Sequence, residues 1–257
     1  MGSAEDSTTR FASRVSNYVR FRPGYPRALV GLLAEESGLS AASVIADIGS
    51  GTGLLCAAFL DCGYTVVGVE PNREMREAGD ALLARFPCFR SVDAKAESTS
   101  LPSQSVDLIV AGQAFHWFDV RATRREWVRI LRPGGIAALI WNERHIESPV
   151  MRDVENVIDK YAAAMDPDGV IREGGRSRIQ SFFDPSPFRL DEFPNNQEFG
   201  LEGLVGRVAS CSYVPGEKDP LYGAMTAELT EVFGRHQRDG RILFEYRTKV
   251  YWGKLGA

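Results

Sequence analysis

The stretch VIADIGSGTGLL, Val44 to Leu55, places three glycines on alternate positions directly after an apolar run. An apolar run that closes in glycines predicts a buried strand, a tight turn and a following helix. The acidic residue Asp47 stands just ahead of the glycines. Bare backbone at Gly49, Gly51 and Gly53 indicates either a turn that a ligand approaches closely or a plain connection between strand and helix.

The spacing of these glycines differs from that of two common nucleotide-binding motifs. A dinucleotide fingerprint that starts at Gly49 needs a glycine at position 54, where the chain has Leu54. A phosphate-binding P-loop ends in Gly-Lys-Ser or Gly-Lys-Thr, and neither tripeptide follows. The loop therefore matches neither motif.

Composition limits the classes of function. With 257 residues, the chain can form one or two domains with a substantial core. Its hydrophobic content of 44% and charged content of 25% are typical of a soluble globular protein. A net charge of −4 argues against a nucleic-acid partner, and the arginines between positions 121 and 132 are expected to form a solvated helix face.

The first residues and the cysteines bear on location and metal binding. The opening MGSAEDSTTR is polar and acidic, and no apolar run approaches transmembrane length. The four cysteines have no metal-ligand spacing. These features predict a cytoplasmic protein with no bound metal and no membrane partner.

Strand and helix patterns alternate from residue 28 to residue 142. Asn72 is predicted to cap the helix NREMREAGDALLARF, and RPGG is predicted to stop the helix RATRREWVRIL. This alternation predicts βαβ units and a mainly parallel sheet. The predicted strands are SVIADI, YTVVGVE, FRSV, VDLIVAG and IAALIW.

The pattern changes after residue 142. SPVMRDVENVIDKYAAAM is an amphipathic helical stretch, and the polar, glycine-rich DPDGVIREGGRSR reads as a linker. FRLDEF and ILFEYRTKVYWGKL alternate as strands do, with helical stretches near 201–209 and 221–236 between them. Two strands without another glycine loop predict an antiparallel edge added to the parallel sheet.

Chemically informative residues follow the ends of four predicted strands. Ligands of open α/β sheets bind outside the carboxyl ends of the strands. The glycine loop ends the first strand and Glu70 ends the second, while Ala96 and Glu97 follow the third and 113–117 follow the fourth. We therefore expect one binding site at this edge of the sheet.

These motifs resemble the class I S-adenosylmethionine-dependent methyltransferases of the methyltransferase-11 type. Together with AFHWF, the N-terminal YVRFRPGYP is most similar to the trans-aconitate-methyltransferase-like branch. The resemblance covers the chain and weakens after Glu147. The residues that carry it are DIGSGTG (47–53), VVGVEPN (66–72), AKAESTSLPSQSVDLIV (94–110), AGQAFHWFD (111–119) and LRPGG (131–135).

The resemblance implies an α/β fold with a Rossmann-like, seven-stranded, mainly parallel sheet, an antiparallel C-terminal strand and helices on both faces. It implies one methyltransferase domain over 1–257 with a helical lid and insertion. The expected parts are a lid over the cofactor (1–27), the cofactor-binding core (28–142), a substrate-side insertion and sheet edge (143–213) and a C-terminal helix with the last strand (214–257).

The implied cofactor is S-adenosylmethionine, with S-adenosylhomocysteine as its product. Glu70 is expected to accept hydrogen bonds from the two ribose hydroxyls, unless it is only an exposed strand-end acid. Asp47 is expected to place negative charge near the cofactor ammonium, through the loop or a water. The full expected cofactor set is Tyr18, Arg22, Tyr25, Asp47, Gly49, Ser50, Gly51, Gly53, Glu70, Pro71, Ala96, Glu97 and Gln113.

Two parts of this set carry alternatives. Many relatives have an Asp before the adenine-contacting alanine, but here Lys95 precedes Ala96 and cannot accept a hydrogen bond. Glu97 could replace that Asp if its side chain turned inward. The segment 17–26 is either a lid in which Arg22 pairs with the cofactor carboxylate, or an N-terminal helix that packs its aromatics on the sheet.

The expected reaction is methyl transfer by in-line displacement to a small-molecule oxygen, nitrogen or carbon, with a carboxylate among the candidates. His116 is either a general base or a shape-forming, hydrogen-bonding residue, and a carboxylate acceptor needs no base. Arg172, Arg176 and Arg178 either bind an anionic acceptor or belong to a mobile polar loop. The alternatives are an NAD-dependent oxidoreductase and a non-catalytic cofactor-binding module. The protein is expected to be a monomer or a homodimer.

Overall fold

The computed structural model describes residues 20–165 and 176–256, apart from the side chain of Arg176. The chain divides into two compact units. The core unit comprises Gly24–Asn142, Gly174–Phe193 and Thr248–Ala257, and the second unit comprises Met1–Pro23, Glu143–Glu173 and Pro194–Arg247. The predicted domain boundaries stay a prediction.

The elements follow the predicted alternation through the first half of the chain. A short 3₁₀ turn, Phe115–Trp117, follows the fourth strand. The helices are α1 Arg27–Ser37, α2 Leu54–Leu60, α3 Arg73–Leu83, α4 Val120–Ile130, α5 Pro149–Met165, α6 Arg176–Phe183, α7 Leu201–Ala209 and α8 Tyr222–His236. The strands are β1 Val44–Ile48, β2 Thr65–Val69, β3 Phe89–Val92, β4 Val106–Gly112, β5 Leu131–Arg144, β6 Arg189–Pro194, β7 Gln197–Phe199, β8 Ile242–Phe244 and β9 Tyr246–Lys254.

Seven of these strands form one sheet in the order β3-β2-β1-β4-β5-β9-β6. β1 pairs in parallel with β2 on one side and β4 on the other, and β3 and β5 extend the sheet in parallel. The C-terminal strand is antiparallel, so the Rossmann-like mixed sheet is confirmed. The strand order reverses between β1 and β4, which is where open α/β sheets form ligand-binding crevices.

The central strands are apolar on both faces because helices cover them. Along β1, Ile45, Ala46 and Ile48 are fully buried, and Asp47 interrupts this run while being 1% exposed itself. Strands buried on both faces form such continuous apolar runs in parallel sheets. A carboxyl group in this position therefore needs a specific explanation.

Three local predictions need correction. The helix before RPGG ends at Ile130, as predicted, but the predicted strand IAALIW starts too late, because β5 begins at Leu131 and Gly134 lies in a register shift against β4. The segment ILFEYRTKVYWGKL is not one strand. β8 pairs antiparallel with β7 in a separate two-stranded sheet, and β9 joins the large sheet. The predicted linker is wrong at its end, since Arg176 begins α6.

The second unit has its own apolar core. Helices α5 and α8 pack together, and α7 packs on α8 and on β7. The core of this unit is formed by residues that include Met151, Ile158, Leu204, Met225 and Phe244.

The predicted cap of α3 is confirmed. The Asn72 side chain accepts a hydrogen bond from the Met75 N–H at 3.0 Å. We expect Asn72→Ala to lower the free energy of unfolding by about 1 kcal/mol, because the N–H of Met75 loses its partner. Asn72→Asp keeps an acceptor and should recover most of that loss in urea unfolding. Equal stability of the Ala and Asp variants would contradict this role.

Candidate active site

The glycine loop leaves the carboxyl end of β1 with a left-handed backbone. Gly49, Gly51 and Gly53 have φ values of +71°, +54° and +83°, which side chains with a Cβ rarely adopt. The Gly49 N–H donates to the Val69 carbonyl at 2.8 Å, and the Ser50 N–H donates to the same oxygen at 3.2 Å. The loop is therefore fastened to the end of β2.

The three glycines meet different surroundings. A Cβ at Gly49 would lie 2.5 Å from the Ala114 Cβ, and one at Gly53 would lie 2.6 Å from the Leu83 Cδ1. A Cβ at Gly51 would meet no protein atom within 4 Å. Two glycines are thus required by packing, while Gly51 faces open space that a ligand can enter.

Glu70 joins this loop to the start of α3. Its Oε2 accepts the Gly51 N–H at 2.9 Å, and its Oε1 accepts the Asn72 N–H at 2.8 Å. Burial raises the pKa of this carboxyl, while the two N–H donors and the Arg76 guanidinium act against that rise. A carboxylate has about four lone-pair positions, so each oxygen can accept one more hydrogen bond.

Asp47 is the most strongly perturbed acid at this edge. Its Oδ2 accepts the Cys56 S–H at 3.1 Å, and its Oδ1 is buried without a partner among the residues that the structure describes. The pKa of Asp47 is raised to about 7, mainly by burial; the Cys56 hydrogen bond opposes this rise and the charge of Glu70 contributes to it. A cation beside Oδ1 would relieve this cost.

The residues after β3 form a turn. Lys95 and Ser98 pair across it, and Ala96 is buried. The Glu97 Oε1 accepts the Asp119 N–H at 2.9 Å. Glu97 is therefore engaged at the start of α4, and Lys95 stays exposed to solvent.

Gln113 is held in a conformation that is uncommon for a residue with a side chain. Its φ is +59°. Its N–H donates to the Ile140 carbonyl at 2.9 Å, and its Nε2 donates to the Asn142 carbonyl at 3.0 Å. Residues in such conformations cluster at functional sites. No sequence pattern indicated the supporting role of Asn142, whose Nδ2 also donates to the Gly24 carbonyl at 3.1 Å.

The other predicted cofactor residues are placed as follows. A Cβ on Gly112 would collide with the Tyr25 hydroxyl, so Tyr25 reaches the end of β4. Ser50 Oγ lies against Gly68, and Pro71 is exposed after Glu70.

Arg22 belongs to the second unit. There its Nε donates to the Ser210 Oγ and its Nη2 to the Ser210 carbonyl, each at 3.0 Å. Tyr18 lies outside the described residues. The roles of both residues toward a cofactor stay predictions.

His116 lies in the turn after β4. The pKa of His116 is lowered to about 4, mainly by burial and in part by the nearby charge of Arg178. The ring is therefore neutral at pH 7 and holds a proton weakly. This low pKa favours His116 as a neutral hydrogen-bonding group over a general base, because a base works best with a pKa near the working pH.

Comparison with known proteins assigns the family. A profile described as "Methyltransferase domain" matches residues 46–139, which include the glycine loop, Glu70 and His116. An uncharacterized methyltransferase-like protein of Schizosaccharomyces pombe is 30% identical over 255 residues, covering 94% of this chain and 93% of that protein. The chain belongs to the methyltransferase family.

Other comparisons agree with the fold. An uncharacterized methyltransferase of Mycobacterium tuberculosis is 35% identical over 158 residues, and this match spans 62% of each protein. A solved structure from Anaeromyxobacter dehalogenans matches with a TM-score of 0.68 and 22% identity, covering 91% of this chain and 98% of that chain. The YcgJ protein from Bacillus subtilis matches with a TM-score of 0.56 and 21% identity, covering 89% and 98%.

The family implies S-adenosylmethionine as the cofactor, and the residues at this edge fit it. Gly51 leaves space beside the loop, Glu70 keeps acceptor capacity for a diol, and the unpartnered Oδ1 of Asp47 suits an ammonium. In the part of the methyltransferase that the structure describes, no helix is long and apolar enough to cross a membrane. The same residues contain no cluster of three metal-ligating side chains.

The raised pKa of Asp47 predicts that the affinity for the cofactor depends on pH. A raised pKa means that the folded protein keeps the proton while the unfolded chain has lost it. The stability of the ligand-free protein therefore falls as the pH rises from about 4 to about 7. A cation at Oδ1 favours the ionised carboxyl, so cofactor affinity should rise with pH by up to about tenfold per unit below pH 7 and then level off.

Calorimetry with S-adenosylhomocysteine between pH 5.5 and 8.5 measures this dependence. Asp47→Asn should remove the rise and weaken binding at pH 8. Asp61→Asn, a change at an exposed acid of the same unit, should behave as the wild type. A wild-type affinity that does not change between pH 5.5 and 7 would contradict the assignment of Asp47.

The open side of Gly51 predicts a second result. Gly51→Val should abolish binding of S-adenosylhomocysteine, because the side chain would occupy the space beside the loop and strain a left-handed backbone. Gly63→Val is a matched control, since Gly63 has φ +87° and also meets no atom within 4 Å. The control should lose stability but keep binding. A folded Gly51→Val protein with wild-type affinity would show that Gly51 is only a turn residue.

Proposed function

We propose that this chain is an S-adenosylmethionine-dependent methyltransferase that transfers a methyl group by in-line displacement to a small-molecule acceptor. The proposal rests on the carboxyl edge of β1, β2 and β4, where an open glycine, a buried acceptor and an unpartnered carboxyl oxygen lie together. In this proposal the cofactor supplies an electrophilic methyl group on a sulfonium centre.

Three groups of the chain hold the cofactor in this proposal. Glu70 accepts hydrogen bonds from the ribose hydroxyls while its two backbone donors keep it in place. Asp47 offers Oδ1 to the ammonium group. The backbone N–H of Ala96 meets the adenine edge. The contact to the adenine amino group differs from that of relatives, because Lys95 cannot accept a hydrogen bond and Glu97 is engaged with Asp119.

The acceptor in this proposal arrives already ionised. His116 is a weak proton acceptor at neutral pH, since burial lowers its pKa to about 4. A carboxylate oxygen can attack the methyl carbon while the electron pair of the breaking C–S bond stays on sulfur, so no proton is transferred. Rate enhancement would then come from positioning and from exclusion of water around the nucleophile.

The proposal also includes four further parts of the prediction. They are the lid over 1–27 with Arg22 on the cofactor carboxylate, the cytoplasmic location, the similarity to the trans-aconitate-methyltransferase-like branch and a monomeric or homodimeric state. The NAD-dependent alternative is not favoured, because the glycine spacing and the family both disagree with it. A measurement of turnover would distinguish an enzyme from a non-catalytic binding module.

The ribose assignment predicts the effect of Glu70→Ala. Losing a charge-assisted pair of hydrogen bonds should weaken S-adenosylhomocysteine binding by about 2–3 kcal/mol. Glu77→Ala removes a partly exposed acid of α3 and should leave affinity unchanged. The same calorimetry with NAD should show no binding to the wild type, and a methyl-labelled donor should label a member of a metabolite panel. NAD binding, or an unchanged affinity in Glu70→Ala, would contradict the proposal.

A further inference from the structure

Arg178 is fixed against the segment that follows β4. It lies in the first turn of α6, and its Nη2 donates to the Phe118 carbonyl at 2.7 Å. Its guanidinium carbon lies 5.8 Å from the centre of the Phe115 ring. Both contacts hold the cation beside the 3₁₀ turn Phe115–Trp117.

This segment also contacts the glycine loop. A Cβ at Gly49 would lie 2.5 Å from Ala114 and 3.1 Å from the Phe118 ring. Phe118 therefore touches the glycine loop through its ring and Arg178 through its carbonyl oxygen. Phe118 therefore connects the Arg178 guanidinium to the proposed cofactor loop.

The charge of Arg178 is unusual for its surroundings. Within the described ranges no carboxylate accepts a hydrogen bond from it, and its Nε is buried without a partner. Arg124 offers a comparison in the same unit, because its Nε and Nη2 donate to the Phe182 and Gly256 carbonyls at 3.1 and 3.0 Å. A desolvated N–H without an acceptor is costly, and an anion would compensate the cation.

His116 and Trp117 lie in the 3₁₀ turn whose first residue, Phe115, contacts Arg178. The His116 ring lies 4.7 Å from the Trp117 ring, and Trp117 is 39% exposed. An exposed indole against a neutral imidazole offers an apolar face. The charge of Arg178 is close enough to that imidazole to lower its pKa. This surface suits a small organic acid with a flat or apolar body.

We propose that Arg178 binds an anionic group of the acceptor and makes the enzyme specific for small carboxylic acids. His116 and Trp117 contact the body of the same molecule. This inference rests on the proposed function. It adds the residue that binds the acceptor and the negative charge that the acceptor carries. Arg178 is a specificity-determining residue here, and the transfer step is the one already described.

The protonation of His116 can be used to detect binding at this site without measuring turnover. The chain has three histidines, so NMR can follow the His116 ring after assignment with His116→Gln. Acetate, succinate, citrate and benzoate serve as probes, each compared with its amide, in the presence of S-adenosylhomocysteine. An acid bound to Arg178 offsets the positive charge and should raise the pKa of His116, whereas the amides should not.

Variants make this test specific. Arg178→Gln should raise the pKa of His116 without any acid and abolish the response to acids, while Arg178→Lys keeps the charge and should keep part of both effects. Arg124→Gln is the matched control and should respond as the wild type. With an acceptor identified by labelling, Arg178→Gln should raise KM by about tenfold to a hundredfold and leave the affinity for S-adenosylhomocysteine unchanged.

The outcomes separate the two claims. The inference is overturned if none of the acids moves the His116 signal, if acids and amides act alike, or if Arg178→Gln still responds. The proposed function itself fails if the wild type does not bind S-adenosylhomocysteine. If S-adenosylhomocysteine binds but His116 does not respond to acids, the proposed cofactor site is supported and only the role of Arg178 is wrong.

Discussion

The rest of the site depends on the two hydrogen bonds that the Glu70 carboxylate accepts from Gly51 and Asn72. One side chain thereby connects the loop after β1 to the first turn of α3. Because the glycines have left-handed φ values, the loop needs this connection to keep one conformation. The same carboxylate keeps spare acceptor positions, and Gly51, to which it is bonded, has open space beside it. A structural role and the proposed binding role therefore fall on one residue.

Two buried acids at this edge create an electrostatic cost in the absence of ligand. Burial raises the pKa values of Asp47 and Glu70, and the charge of Glu70 adds to the rise at Asp47. Buried carboxyls are stable when they are protonated, paired or hydrogen-bonded. Glu70 has its backbone donors, whereas Asp47 keeps one oxygen without a partner among the described atoms. A cationic ligand would remove this cost, and the free energy released by pairing with Asp47 would strengthen its binding.

Patterns with short-range causes were predictable from sequence. The strands through β4 and the cap at Asn72 follow from apolar periodicity, glycine positions and capping chemistry, and the structure confirms them. The division of the last strand near Glu245 and the start of α6 at Arg176 were missed, because alternation of apolar residues does not say which sheet a segment joins. The glycine-rich context of α6 also hid its helical start.

Side-chain partners in the site were less predictable than the strand ends that carry them. Sequence position indicated that Glu70, Ala96 and Gln113 share one edge, but it did not indicate that Glu97 turns toward Asp119. Arg178 reaches Phe118 across 60 positions of sequence, and no local pattern encodes that contact. Burial of Asp47 and the pKa of His116 likewise depend on residues from several elements.

A crystal structure with bound S-adenosylhomocysteine tests the central claim most directly. We expect the ribose hydroxyls about 3 Å from the Glu70 carboxylate, the ammonium about 3 Å from the Asp47 Oδ1, and cofactor atoms in the space beside Gly51. A ligand bound at another edge of the sheet, or one that leaves Glu70 and Asp47 without contact, would contradict it.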